Sequence, residues 1–330
     1  VIPPPSLLVR SPNWLGDAVL SLPAVASLKR WLGGGPLAVA TPDKLRALWD
    51  LCPFVDRVVA LDRPNCLLCT AQRLREGKFE AALLLPNSPR SALEARLAGI
   101  PRIWGKTAWP RSVLLSRPVL RGEPGETFPR QAASYLALAQ ELGASGSLAT
   151  PELRPIASSG QPPEPVIAFC PGAEYGPAKR WPAESYMILA RRLHAATGYP
   201  VRLYGAAGDR EICRQIASAV PGVESLAGQT SLEEFLSALA HARLVVCNDS
   251  GAMHVAALLG VPVVALFGST DPVRTGPLGT TTRVLSHPVP CGPCFLRTCP
   301  RDLACLRQIH PEAVFSACLE QLGCSPTVSS

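Results

Sequence analysis

No apolar run in this 330-residue chain is long enough to cross a bilayer. The longest candidate, "MHVAALLGVPVVALFG" from Met253 to Gly268, is broken by a histidine, a proline and glycines, and falls short of the roughly 20 residues a spanning helix needs. A secretory leader is not expected, because the opening "VIPPPSLLVRSPNWLGD" has prolines where a basic start belongs, and Arg10 and Asp17 interrupt its apolar stretch. There is no short-period repeat and no charge run that would mark a tail. A Walker loop is absent and no G-x-G-x-x-G follows the first strand, which removes the usual support for ATP hydrolysis and nicotinamide chemistry. Neither a G-x-S-x-G elbow nor an H-E-x-x-H pair occurs, and no Asp-x-Asp pair offers a loop site for a divalent metal.

What remains is a globular composition, 47% hydrophobic and 17% charged, in a chain long enough for two domains of about 150 residues. The net charge of +7, if clustered, favours an anionic partner: a phosphate-rich ligand, a membrane surface or nucleic acid. The expected compartment is the cytoplasm, where the twelve cysteines should be mostly reduced thiols unless they bind metal.

Apolar runs alternate with amphipathic ones from the start: "SLLVR" then Asp17 to Trp31, "LAVAT", "FEAALLLP" then Arg90 to Ala98, and Pro129 to Leu142. This alternation predicts an α/β fold with a parallel sheet covered on both faces. The Gly-, Ser- and Pro-rich stretch "GASGSLATPELRPIASSGQPPEPV" interrupts it, and the pattern restarts with "VIAFC", "VRLYG", "RLVVCND" and "VPVVALFG" and their intervening helices. The expected organisation is a Rossmann-like domain over 1–150, a linker over 151–165 and a second Rossmann-like domain over 166–330, facing a central cleft.

Ligands of such sheets bind beyond the carboxyl ends of the strands, and three loops of this kind carry polar residues. In "SPNWLGD", Asp17 stands in the first turn of a helix, either complementing the helix dipole or facing a ligand. In "CPGAEYGPAKRWP", small residues let the backbone approach a ligand, and Lys179 and Arg180 precede a helix start suited to a diphosphate; a solvated basic pair is the alternative. In "VVCNDSGAMHVAALLG", Asp249 or Ser250 can cap the following helix, Gly251 opens it, and His254 lies one turn on, as a ligand group or as a packed histidine. From Arg90 to Arg130 there are eight Lys or Arg against three Glu, which is either an ordinary solvated surface or one that attracts anions.

"CGPCFLRTCPRDLAC", within a Cys-rich insert over 288–308, brings Cys291, Cys294, Cys299 and Cys305 within fifteen residues. Four thiolates so spaced could hold a structural zinc or, less readily, an iron–sulfur cluster; without metal they are reduced or disulfide-linked thiols. Either way the segment is expected to pin a loop near the cleft. Cys170 and Cys247, at predicted strand ends, are expected to be small buried hydrophobes, and Cys66 and Cys69 are assigned no role.

The segments "SPNWLGDAVLSLPAVASLK", "FCPGAEYGPAKRWP" and "CNDSGAMHVAALLGVPVVALFGSTDP" resemble the three signature segments of glycosyltransferase family 9, the bacterial ADP-heptose:lipopolysaccharide heptosyltransferases, in their heptosyltransferase II form. The resemblance implies a GT-B fold and inverting, metal-independent transfer of heptose from ADP-L-glycero-β-D-manno-heptose to the inner core of lipopolysaccharide. It makes Asp17 the catalytic base and Lys179 a contact of the donor diphosphate. Asp249, Ser250, Gly251 and His254 then fall in the nucleotide-sugar segment, with Asp209 or Glu211 holding the ribose. No cofactor is required for catalysis, and peripheral contact with the inner face of the inner membrane is expected but no nucleic acid. A related transferase for another sugar or acceptor, of the heptosyltransferase I or III kind, is the neighbouring alternative, and a non-catalytic binding protein the more distant one. A base at a helix start has its charged form favoured, so water exclusion on domain closure is expected to restore its basicity.

Overall fold

Short apolar runs become strands here because both of their faces are covered. In "LLVR" and "IAFC" every residue is buried, as expected of parallel strands sandwiched between helices. The computed structural model describes residues 1–63, 66–119, 130–156 and 164–324. The chain divides into two units, Val1–Pro155 and Ile156–Ser330.

The first unit holds strands β1 (Leu7–Arg10), β2 (Leu37–Pro42), β3 (Arg57–Leu61), β4 (Ala81–Leu84), β5 (Arg102–Lys106) and β6 (Arg117–Val119), in the order β3-β2-β1-β4-β5-β6. The second holds β7 (Ile167–Cys170), β8 (Val201–Leu203), β9 (Glu224–Ser225), β10 (Leu244–Asn248), β11 (Val263–Phe267) and β12 (Thr282–Ser286), in the order β9-β8-β7-β10-β11-β12. Renumbered within its unit, the second sheet repeats the order of the first. All pairings are parallel. In both sheets the order reverses between the first and fourth strands, β1 and β4 or β7 and β10, and that switch point is where doubly wound sheets bind ligands.

The helix Leu15–Trp31 follows β1 and buries a continuous stretch from Ala18 to Leu28, so it is apolar on all sides and not merely amphipathic. Pro23 within it lacks an N–H, and the Ser27 hydroxyl donates to the Pro23 carbonyl at 2.8 Å. In the second unit, Trp181, Tyr186, Phe169 and Phe267 form the largest wholly buried side chains. Trp181 and Tyr186 meet edge to face at 4.9 Å, and the indole N–H donates to the Ile309 carbonyl at 2.9 Å.

Residues 151–155, expected in the linker, stay with the first unit through Arg154, whose amide donates to the Leu51 carbonyl at 2.7 Å. Residues 157–163 of that linker, and Arg121, Glu123 and Glu126 of the basic stretch, lie outside the described residues. Cys66 and Cys69, to which the sequence assigns no role in a chain of mostly reduced cysteines, form a disulfide. Their Cα atoms are 5.3 Å apart because Cys66 caps the helix Leu67–Arg75 and Cys69 sits in its first turn. Cys170 and Cys247 are buried and lie side by side across β7 and β10; burial pushes both thiols up, so they stay protonated. No described helix is long and apolar enough to cross a membrane.

Candidate functional site

Each switch point carries polar loops. After β1, the loop from Ser11 to Trp14 is fixed from below by Arg10, a buried guanidinium that donates to the Ser11 carbonyl at 2.9 Å and to Asn13 Oδ1 at 3.1 Å. Glu94, itself buried, lies 3.9 Å from Arg10 Nε and 2.9 Å from Arg90 Nε. Burial pulls the Arg10 pKa down from its ordinary value and the Glu94 charge opposes that shift. The Ser11 hydroxyl bonds to Thr41 at 2.9 Å, tying the loop to β2.

Asp17 stands half-buried in the first turn of the helix that follows, where Trp14 provides no side-chain cap. Gln131 Nε2 donates to Asp17 Oδ1 at 2.5 Å and lies 3.4 Å from the Tyr135 hydroxyl, one turn along the helix Gln131–Glu141. The Tyr135 phenol is held well above its usual range, first by burial and then by the Asp17 charge. Asp17 is thus a carboxylate with a fixed orientation, and its phenolic neighbour remains a neutral hydrogen-bonding group. Gln131 and Tyr135 are 114 and 118 residues away in sequence, and no local pattern points to them.

In the second unit the loops after β7 and β10 converge. Lys179 ends a short turn, Pro177–Lys179, and its ammonium lies 2.6 Å from Asp249 Oδ2, with both side chains buried. The Thr270 hydroxyl donates to the same oxygen at 2.5 Å from the loop after β11. Asn248, at the end of β10, fixes the arrangement. Its Nδ2 donates to the Pro171 carbonyl at 2.7 Å, and its Oδ1 accepts from the Trp181 amide and the Tyr186 hydroxyl, each at 3.1 Å.

Asp249 and Ser250 were each candidates to cap the helix Gly251–Leu258, and neither does so. Asp249 is committed to Lys179 and Thr270, while Ser250 occupies the capping position without a side-chain bond to the helix. The helix start therefore keeps amides available for an anion. His254 is buried, its Nδ1 has no hydrogen-bond partner among the described residues, and its pKa is pushed down to about 4, chiefly by burial, against the pull of Asp249 and with the help of Lys179. At neutral pH it is an uncharged imidazole and adds no positive charge.

Asp209 and Glu211 diverge. Asp209 is buried, with Oδ1 on Arg180 at 3.1 Å and Oδ2 accepting from the Ala206 amide at 3.0 Å. Glu211 is exposed and paired with Arg214, which lowers its pKa. The glycines read as permitting ligand approach are required by the protein itself: a Cβ at Gly172 would collide with the Asp209 carboxylate, and one at Gly176 with the Arg297 carbonyl. Among the described residues, no three His, Cys, Asp or Glu side chains lie close enough together to hold a metal ion, the four cysteines of the 288–308 segment included. Cys291 is exposed and Cys294, Cys299 and Cys305 are partly exposed.

Residues 68–304 match the family model described as "Glycosyltransferase family 9 (heptosyltransferase)". The chain belongs to glycosyltransferase family 9. Its curated family 9 relatives include lipopolysaccharide heptosyltransferase 2 of Escherichia coli, 35% identical, with 84% of this chain and 87% of that protein aligned. Another is lipooligosaccharide heptosyltransferase 2 of Haemophilus influenzae, 32% identical over 85% and 88%. The solved structure of E. coli ADP-heptose lps heptosyltransferase II superposes with a TM-score of 0.81 at 32% identity, covering 96% of this chain and 98% of that one. The family 9 member from Veillonella parvula gives the same TM-score, 0.81, at 21% identity, which shows the fold alone. The two parallel sheets are those of a GT-B glycosyltransferase.

The buried His254 makes stability pH-dependent. Its folded pKa lies below the unfolded value, so its contribution is complete above pH 6.5 and is lost as pH falls toward 4. Chemical denaturation should find the wild type about 2 kcal/mol less stable at pH 5 than at pH 7 from this group alone. His254→Gln should lose that increment; an unchanged pH dependence in the variant would refute the assignment.

Proposed function

We propose that this chain transfers heptose from ADP-heptose to the inner core of lipopolysaccharide, as a heptosyltransferase 2. The supporting observation is the Lys179–Asp249–Thr270 cluster at the switch point of the second sheet, in a chain whose relatives carry that name across most of their length. A buried ammonium beside uncapped helix amides suits a diphosphate, since both neutralise phosphate charge at short range.

In this reading Asp17 removes the proton from the acceptor hydroxyl as its oxygen attacks the anomeric carbon. The bond from that carbon to the β-phosphate oxygen breaks on the opposite face, which inverts the configuration, and the electron pair leaves on ADP. Gln131 holds one Asp17 oxygen and so orients the other. Lys179 meets the charge developing on the diphosphate, with Asp249 and Thr270 keeping its ammonium in place. His254, uncharged, offers a hydrogen bond to the donor. The ribose contact is not assigned to Asp209, whose oxygens already hold Arg180 and Ala206, nor to Glu211, paired with Arg214 in solvent.

The acceptor's acidic groups are read onto the first unit. Arg111, one of the eight cations between Arg90 and Arg130, is not solvated as an ordinary surface arginine is, but wholly buried. It donates to Asn87 Oδ1 at 3.2 Å and to the carbonyls of Lys106 and Leu84 at 3.1 and 3.3 Å, at the carboxyl ends of β4 and β5. Burial alone pushes its pKa down to about 10, and its Nε has no partner among the described residues. Without exposed surface it does not touch the acceptor; a desolvated cation with neutral partners attracts a carboxylate or phosphate at a distance, and its bonds hold Asn87 and the strand ends in place. Trp109 and Val113 beside it are 85% and 71% exposed, and they supply the apolar contact for peripheral docking at the inner leaflet, from the cytoplasmic side.

With ADP-heptose and a purified inner-core acceptor, the wild type should release ADP and heptosylated product. Asp17→Asn should slow turnover by about 100- to 10,000-fold. Turnover like the wild type's would remove the base role, and no transfer by the wild type would remove the function. Transfer should survive EDTA, because Lys179 and the helix amides carry the leaving-group charge; loss in EDTA with recovery in magnesium would contradict this. Arg111→Gln should raise the acceptor KM by about tenfold or more with the donor KM unchanged, the size expected for a lost charge-assisted hydrogen bond. Equal acceptor KM values would refute that placement.

A further inference from the structure

The Cys-rich segment reaches the donor loop through its middle and not through its thiols. We infer that Phe295, Leu296 and Arg297 form a staple that positions Tyr175 against Lys179 and thereby sets the affinity of the second unit for the donor diphosphate. This inference rests on the donor reading of Lys179 given above and deepens it.

Four contacts tie the staple to the loop after β7. The Tyr175 hydroxyl donates to the Phe295 carbonyl at 2.6 Å, and Arg297 Nε donates to the Tyr175 carbonyl at 2.7 Å. The Ala178 amide donates to the Arg297 carbonyl at 3.1 Å. The Arg297 guanidinium lies 5.4 Å from the Tyr175 ring centre. On the same ring, at 4.7 Å, sits the Lys179 ammonium, so one aromatic ring contacts both cations. Gly176 closes the contact, because its missing side chain leaves room for the Arg297 carbonyl.

The other end of the staple is anchored on the loop after β11, which supplies Thr270. The Phe295 amide donates to the Ser269 carbonyl at 2.8 Å, and the Arg274 guanidinium lies 5.7 Å from the Phe295 ring centre. Phe295 takes a left-handed backbone conformation, φ 54°, unusual for a bulky residue and maintained only where the surroundings dictate it. Three residues thus join the two loops that supply Lys179 and Thr270, the groups on either side of Asp249. Lys179 and Arg180 each have a carboxylate partner, Asp249 and Asp209. Among the described residues no carboxylate pairs with Arg297, and its bond to a neutral carbonyl leaves its positional role as the one the contacts define.

The test uses ADP as the probe, with affinity read by calorimetry and steady-state kinetics read alongside. Arg297→Ala should weaken ADP binding by roughly fivefold to thirtyfold, the loss expected for one hydrogen bond and one cation–π contact. The donor KM should rise in step, with kcat and the acceptor KM little changed, and Arg297→Lys should recover part of the loss. The unfolding midpoint should not move, since Arg297 is exposed. Tyr175→Leu should reproduce the loss, and adding Arg297→Ala to it should cost much less than Arg297→Ala costs alone, because the arginine acts through the tyrosine ring and in that variant keeps only its bond to the main-chain carbonyl. Additive losses would instead make Arg297 an independent anion contact and overturn the positioning role. If the wild type binds ADP and Arg297→Ala binds it equally well, the staple fails while the donor reading stands. If the wild type does not bind ADP, both fail.

Discussion

The second unit is organised around one buried ion pair, Lys179 with Asp249. Such a pair is weak support for stability, since removing two charges from water costs several kcal/mol that their attraction must offset. Its position is more informative. β7 and β10 are hydrogen-bonded neighbours at the reversal of strand order, so their loops leave the same edge side by side and can place a cation from one against an anion from the other. Everything around the pair limits its movement: Thr270 shares the carboxylate, Tyr175 lies against the ammonium, and Asn248 locks the strand end beneath. In the proposed function a donor diphosphate would meet a charge already held in place, which lowers the ordering cost of binding.

The first unit solves the same problem with different parts. Its strand order is the same and its polar loop also leaves the first strand, but the loop is supported by a buried arginine on β1 that has a glutamate neighbour, Arg10 with Glu94. Where the second unit immobilises a cation, the first immobilises a carboxylate, through Gln131 on a helix far along the chain. The two halves therefore place opposite charges after the first strand of one topology, an arrangement the proposed transfer would use for proton removal on one reactant and charge neutralisation on the other.

The strand and helix alternation was legible because its period is local, and so were the loops holding Asp17, Lys179 and Asp249. For the cap of the helix Gly251–Leu258 the sequence offers Asp249 and Ser250 as equals, and only the position of Lys179 shows why Asp249 is unavailable. The glycines of "CPGAEYG" were read toward a ligand, whereas Asp209 and Arg297 occupy the space they leave. Nothing local marks Gln131, Tyr135, Arg111 or Arg297, because each has a partner 24 residues or more away, as in the bond between Arg111 and Asn87. Arg111 looked like any other cation in a basic stretch until burial separated it from its neighbours. The Cys66–Cys69 bridge is not legible in the sequence, because a lone C-x-x-C has the same spacing whether or not its sulfurs meet.

Asn248 carries one further implication. Its nitrogen faces the carbonyls of Pro171 and Gly172, and its oxygen faces the Trp181 amide and the Tyr186 hydroxyl. Aspartate has nearly the same shape, but it would turn an attractive face into a repulsive one by setting oxygen against two carbonyl oxygens in a site without water access to dilute the charge. Exchanging this one nitrogen for oxygen would leave the outline of the molecule unchanged and still break the joint between the loop after β7 and the end of β10.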